Sequence, residues 1–139
     1  TPADFGFAGT VSYADLPIRL PVRVAGMNPN WTFAWFDFDR KAWYPSAVDP
    51  VINQGFFTLD TRLGAHRLFA GHPVTTDNPE ARIGVTSDAK TYVKASVNNV
   101  TDKPMTLTLR LNPALGAAPT QQVALASGEM KVVEFKLGQ

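Results

Sequence analysis

The segment MTLTLRL sets Met105, Leu107, Leu109 and Leu111 against Thr106, Thr108 and Arg110. A two-residue period puts the apolar side chains on one face of an extended strand. The same period runs through LPIRLPVRV, where Ile18, Leu20, Val22 and Val24 oppose Arg19, Pro21 and Arg23. The proline inside this segment suits an edge strand or a bulge. Nowhere does the sequence space apolar residues by three and four over a helix-length window, as an amphipathic helix requires. Eleven Pro and ten Gly are spread along the chain, and nine Asp stand against three Glu. Asp favours turns and caps, whereas Glu suits helix interiors. The pattern predicts about eight to ten short strands in an all-β fold, an antiparallel β-sandwich with a small β-barrel as the alternative.

The strands expected beyond these two are a loose one within residues 1–15, FFTLDTRLG and HRLFAG around Gly64-Ala65, and ARIGVTS and TYVKASVNNV around a turn at Asp88-Ala89. QQVALA and MKVVEFKL, joined at SGE, are expected to close the chain as a hairpin. YPSAVDPVINQG reads as a long connection, and HPVTTDNPE and NPALGAAP read as loops.

A length of 139 residues fits one domain spanning residues 1–139, large enough to bury a core without disulfides. The absence of cysteine excludes disulfides, thiol catalysis and thiolate metal sites. The formal net charge is +1 and no basic run occurs, so neither nucleic acid nor an anionic membrane surface is an expected partner. No apolar run approaches the roughly 18 residues of a membrane helix. No charged-then-apolar signal segment opens the chain.

All three tryptophans lie in WTFAWFDFDRKAWYP, Trp31 to Pro45. Read as a hairpin turning at Arg40-Lys41, this stretch places Phe38 opposite Trp43 and Asp37 opposite Tyr44. One face then carries Phe36, Phe38 and Trp43 and belongs to the core. The other carries Trp35, Tyr44, Asp37 and Asp39. Two carboxylates are too costly to bury unpaired, so this second face is expected in solvent. Exposed aromatic rings stack on the C–H face of a pyranose, and aspartates accept hydrogen bonds from its hydroxyls. Trp35, Tyr44, Asp37 and Asp39 are thus candidate carbohydrate ligands. Trp31, whose face the pattern leaves open, joins them. The competing reading is structural, because β-sandwich cores commonly bury a tryptophan.

Other chemistry is weaker in the sequence. Asp77, Asn78 and Glu80 cluster oxygen donors that suit calcium, although Asp-Asn-Pro is also an ordinary turn. No other cofactor is expected. His66 and His72 lack a third ligand at a zinc spacing. No nucleophile elbow or phosphate-binding glycine loop occurs. Asp37 and Asp39 admit a glycoside-acting enzyme as a minor alternative, but two catalytic carboxylates must flank a cleft. Asn30 and Asn99 begin glycosylation triplets, which occur often by chance.

The last third, VKASVNNVTDKPMTLTLRLNP followed by VALASGEMKVVEF, resembles the end of an immunoglobulin-like or fibronectin-like accessory module. The matching positions are Asn98 to Pro104, an Asn-rich turn with Thr-Asp-Lys-Pro, and Ser127 to Glu129. The resemblance implies a β-sandwich beside the catalytic domain of a secreted bacterial enzyme acting on polysaccharide, in a secreted, cell-surface or periplasmic setting. The expected function is a non-catalytic carbohydrate-binding accessory module, with a polysaccharide or oligosaccharide as its partner. The alternative is a structural or interaction module that packs on a neighbouring domain.

Overall fold

The computed structural model describes residues 6–11, 19–60, 66–117 and 119–137. Along the chain the described strands are β1 (Gly6–Val11), β2 (Arg19–Val24), β3 (Phe33–Asp37), β4 (Ala42–Ser46), β5 (Val48–Asp49), β6 (Gln54–Asp60) and β7 (His66–Gly71). They continue as β8 (Val74–Thr76), β9 (Arg82–Ser87), β10 (Tyr92–Asn98), β11 (Met105–Leu111), β12 (Thr120–Leu125) and β13 (Met130–Lys136). Four sheets form, in the orders β1-β7-β3-β4, β2-β6-β5, β12-β11-β8 and β13-β10-β9. Every strand pair within them is antiparallel, and the sheets do not close into a barrel. The expected all-β, sandwich-like fold is what the chain adopts.

Two apolar cores hold these sheets together. The larger contains Trp31, Phe36 and Phe69 together with Leu107, Leu109, Leu111 and Phe135. The smaller contains Val24, Met27, Phe33, Phe57, Leu68 and Ala70. Neighbouring residues on β3 and β7 enter different cores: Phe36 and Phe69 the larger, Phe33 and Leu68 the smaller. Both strands are therefore buried on both faces. This is why the described part of HRLFAG reads as a continuous apolar run rather than an alternating one.

The C-terminal half keeps the expected alternation. Leu107, Leu109 and Leu111 are fully buried and Thr106 is exposed. β9 and β10 pair around the expected turn. Its Asp88 carboxylate accepts the Thr91 hydroxyl at 2.6 Å and the N–H groups of Lys90, Thr91 and Tyr92. Those bonds, the Thr91 hydroxyl first, hold the carboxyl well below the usual carboxylate range.

Four local expectations need correction. The SGE turn does not close a hairpin, because β12 pairs with β11 and β13 pairs with β10. The chain crosses between sheets there. YPSAVDPVINQG is not one connection: it holds the end of β4, the two-residue β5 and the start of β6. HPVTTDNPE contains β8, which adds to β11. NPALGAAP carries a 3-10 turn at Pro113–Leu115, capped by the Asn112 side chain accepting the Ala114 N–H. Ile18 and the Gly64-Ala65 boundary lie outside the described residues.

The two strands that flank the crossing, β12 and β13, are each the outer strand of their sheet. Side chains strut them together. Gln121 Nε2 donates to the Glu134 carbonyl at 2.8 Å, and Lys131 Nζ donates to the Ala124 carbonyl at 2.8 Å. Among the described residues no helix is long and apolar enough to cross a membrane.

Candidate functional site

The aromatic stretch folds as the β3–β4 hairpin, with residues 38–41 forming its loop and Lys41 in a left-handed conformation at φ 56°. Trp35 faces Tyr44, Phe36 faces Trp43 and Asp37 faces Ala42. This register is displaced by two residues from the expected one. An even displacement leaves every side chain on the face predicted for it. The displacement follows from Asp37, whose Oδ1 accepts the N–H groups of Asp39 at 3.1 Å and Arg40 at 3.0 Å and closes the loop early.

The same bonds correct the expectation for Asp37. It is 1% exposed, so its carboxylate belongs to the turn and does not face solvent. Trp31 is also removed from the surface. It is 4% exposed, its Nε1–H donates to the Ala81 carbonyl at 3.0 Å, and it meets His72 edge-on at 5.3 Å.

Trp35 is half-buried against the smaller core. Its ring stacks on Tyr44 at 4.1 Å and 17° and on Phe57 at 5.0 Å and 23°. Two six-membered rings are too wide to lie side by side on one indole face at these distances, so Tyr44 and Phe57 occupy opposite faces. The expected platform thus has no open face of its own. Tyr44, at the outer end of the three-ring stack, is 38% exposed. Trp43 packs edge-on against Phe36 at 4.6 Å and lies partly buried against the larger core, as expected.

Asp39 is exposed, but its carboxylate is engaged. Oδ2 accepts the Arg67 N–H at 2.6 Å and Oδ1 lies 3.9 Å from Arg67 Nε, while the guanidinium sits 5.6 Å from the Phe38 ring centre. The four residues expected on one ligand face therefore separate: Trp35 and Tyr44 stay together, Asp37 turns inward, and Asp39 binds Arg67 at the loop.

The remaining candidates are built into turns. Asp77 Oδ1 accepts the Thr76 hydroxyl and the Thr108 N–H, both at 3.1 Å, and Asn78 Oδ1 accepts the Glu80 N–H at 3.0 Å. Among the described residues no three His, Cys, Asp or Glu side chains are grouped to hold a metal ion. Asn99 is fully buried, and its amide donates to the carbonyls of Lys103 and Ala126. The Asn30 amide donates to the Pro79 carbonyl. The side chain of His66 lies outside the described residues.

Two features went unread in the sequence. His72 is fully buried, with Nε2 accepting the Asn28 N–H at 2.7 Å and Nδ1 facing the Thr32 carbonyl at 2.9 Å. Burial pushes its pKa down to about 4. The signal was there in outline: a histidine directly before Pro73 and after an apolar strand. The second feature is the β5–β6 turn. Val51 is 87% and Ile52 47% exposed, and Phe56 is exposed on the adjoining strand, beside Arg23. The turn is pinned. Asp49 accepts the N–H groups of Val51 and Asn53, and the Asn53 carbonyl accepts the Met27 N–H. Two aliphatic residues between Asp-Pro and Asn-Gln are the sequence trace of such a tip.

No family model, curated protein or solved structure matches this chain.

Proposed function

We propose that this chain is a non-catalytic structural or interaction module, and that its aromatic stretch serves as the wall between two cores rather than as a ligand platform. The observation that carries the reading is the closure of Trp35 between Tyr44 and Phe57, with Asp37 buried beside them. A sugar site needs an open ring face and free hydrogen-bonding groups together, and this hairpin separates them. The pinned β5–β6 tip supplies exposed apolar side chains of the sort that neighbouring protein domains cover. The resemblance of the last third to accessory modules supports a catalytic domain of a secreted bacterial polysaccharide-acting protein as that neighbour.

A second reading keeps carbohydrate binding and moves the platform to Tyr44. Its support is the 38% exposure of a phenol ring backed by Trp35, which would hold it flat for a sugar. A glycan array on the 139-residue chain separates the two. The interaction reading expects no glycan retained above background. A glycan retained by the unaltered chain and lost on Tyr44→Ala, with the fold intact by circular dichroism, overturns it in favour of the second reading.

A further inference from the structure

The segment from Gly26 to Thr32, between β2 and β3, ties the molecule together in three directions. Toward the smaller core, the Met27 N–H donates to the Asn53 carbonyl at 2.8 Å. Toward β9, the Asn28 and Asn30 amides both reach the Pro79 carbonyl, the Trp31 indole reaches Ala81, and the Thr32 N–H reaches the Ile83 carbonyl. Toward the junction of β7 and β8 it meets the ring of His72, which takes the Asn28 N–H, faces the Thr32 carbonyl and packs against Trp31. The carbonyl of His72 in turn accepts the Asn112 amide at 3.1 Å, which fixes the junction to the end of β11.

These bonds specify the ring's protonation state. A ring nitrogen facing a carbonyl must carry hydrogen, and one facing an N–H must not. His72 is therefore neutral, with hydrogen on Nδ1. A second proton would point Nε2–H at the Asn28 N–H and place a charge on a fully buried ring. The partners of the ring among the described residues, Asn28, Trp31, Thr32 and, through the backbone, Asn112, are all uncharged. Among the described residues the charged groups on the surrounding elements are Asp37 on β3, Arg67 on β7, Asp77 after β8, Glu80 and Arg82 at the start of β9, and Arg110 on β11. Arg67, Asp77, Glu80 and Arg82 are exposed, and the ring's hydrogen bonds go to Asn28 and Thr32 and its stacking contact to Trp31.

We propose that His72 is an acid-sensitive latch: a proton on Nε2 breaks its bond to Asn28 and releases the Gly26–Thr32 segment from the β7–β8 junction. The device goes beyond the interaction reading and does not depend on it. Its direction is fixed by linkage. The released ring titrates at the ordinary value of 6.5 and the latched ring at about 4, so acid favours release. From well above pH 6.5 to well below pH 4 the release equilibrium shifts about 300-fold in all, of which about 80-fold falls between pH 6.5 and 4.

Nitrogen-15 NMR on the 139-residue chain tests this between pH 7.5 and 3.5. The ring nitrogens of His72 should report the neutral form with hydrogen on Nδ1 down to about pH 4. Protection of the Asn28 amide from exchange, corrected for the intrinsic pH dependence, should fall about 80-fold between pH 6.5 and 4, and the Trp31 indole signal should move with it. In His72→Gln the side-chain oxygen reaches the Asn28 N–H without titrating, so this dependence should vanish. A ring that titrates near 6.5, or Asn28 protection that stays constant to pH 3.5, overturns the latch. The same loss in His72→Gln would assign it to carboxylates and overturn it equally. Should His72→Gln fail to fold, the ring shifts and Asn28 protection of the unaltered chain decide.

Discussion

Gly55 leaves the space that the ring of Phe33 fills: a Cβ built at position 55 would lie 2.7 Å from Phe33 Cγ. Gly55 sits in the central strand β6, opposite Val24 on one side and Val48 on the other. Phe33 is fully buried and cannot retreat. Gly55→Ala is therefore expected to destabilise by about 1–3 kcal/mol, as overpacked core positions do. Gly84→Ala provides the contrast. Its Cβ would meet only the Ser96 hydroxyl, at 2.9 Å on an exposed face, and the hydroxyl can rotate away. It should remain within about 0.5 kcal/mol of neutral. Urea denaturation of the two variants reads the difference.

Closing Trp35 inside a three-ring stack changes what its removal does. Trp35→Ala should lower stability by about 3 kcal/mol, the low end for large aromatic truncations because the ring is half-buried. Tyr44→Ala removes only the outermost ring and should cost about 1 kcal/mol. Iodide should quench neither Trp31 nor Trp35 efficiently. Trp35→Ala with undiminished thermal stability would return this residue to the surface.

Asp37 holds the hairpin loop through two N–H groups from a buried position. Asp37→Ala leaves those donors without an acceptor and should destabilise by about 1–3 kcal/mol. Asp37→Asn retains an acceptor oxygen and should lose less. Equal losses would show that the charge, and not the acceptor, is what the loop requires.

Along β11 the two faces should separate cleanly. Leu107→Ala and Leu109→Ala are each expected to cost about 2–5 kcal/mol. Thr106→Ala and Thr108→Ala, whose side chains lie off the core face, should stay within about 0.5 kcal/mol. Comparable effects at all four positions in chemical denaturation would mean that both faces of the strand are packed.

Acid should destabilise the whole fold through His72. Its folded pKa of about 4 lies below the ordinary 6.5, so the unfolded chain binds the proton first. The contribution is fully present above pH 6.5 and is lost as pH falls toward 4. The span amounts to about 3 kcal/mol. Unfolding midpoints measured at pH 7, 5.5 and 4.5 should fall in that order, and the fall should shrink in His72→Gln.

The local pattern of β11 and the turn between β9 and β10 were legible because each depends on neighbouring residues alone. The faces of β3 were legible as well, since an even register displacement preserves them. What those faces meet was not. Phe33 and Trp35 share their strand face with Asp37 and Asp39, yet β2, β6 and β5 supply a second core for them. That core forms from segments far apart along the chain, and a period-two pattern on β3 carries no record of it. Asp37 misled for a related reason: a carboxylate that caps its own loop can be buried at small cost. The crossing at Ser127–Glu129 resembled a hairpin because Ser-Gly-Glu satisfies both. The actual choice rests on long-range contacts such as the Asn99 N–H to the Glu129 carbonyl and the Gly128 N–H to the Asn99 carbonyl.

The struts from Gln121 and Lys131 across β12 and β13 bear on how copies of this chain behave at high concentration. An unpaired strand edge is a template on which another chain can extend a sheet. Here two backbone carbonyls on that flank already accept side-chain donors, and a lysine ammonium lies across it. An incoming strand would have to displace those donors and bring its own backbone against a fixed positive charge. Fibrillar growth through this side of the molecule is disfavoured, and β-sheet extension is left to the other flanks.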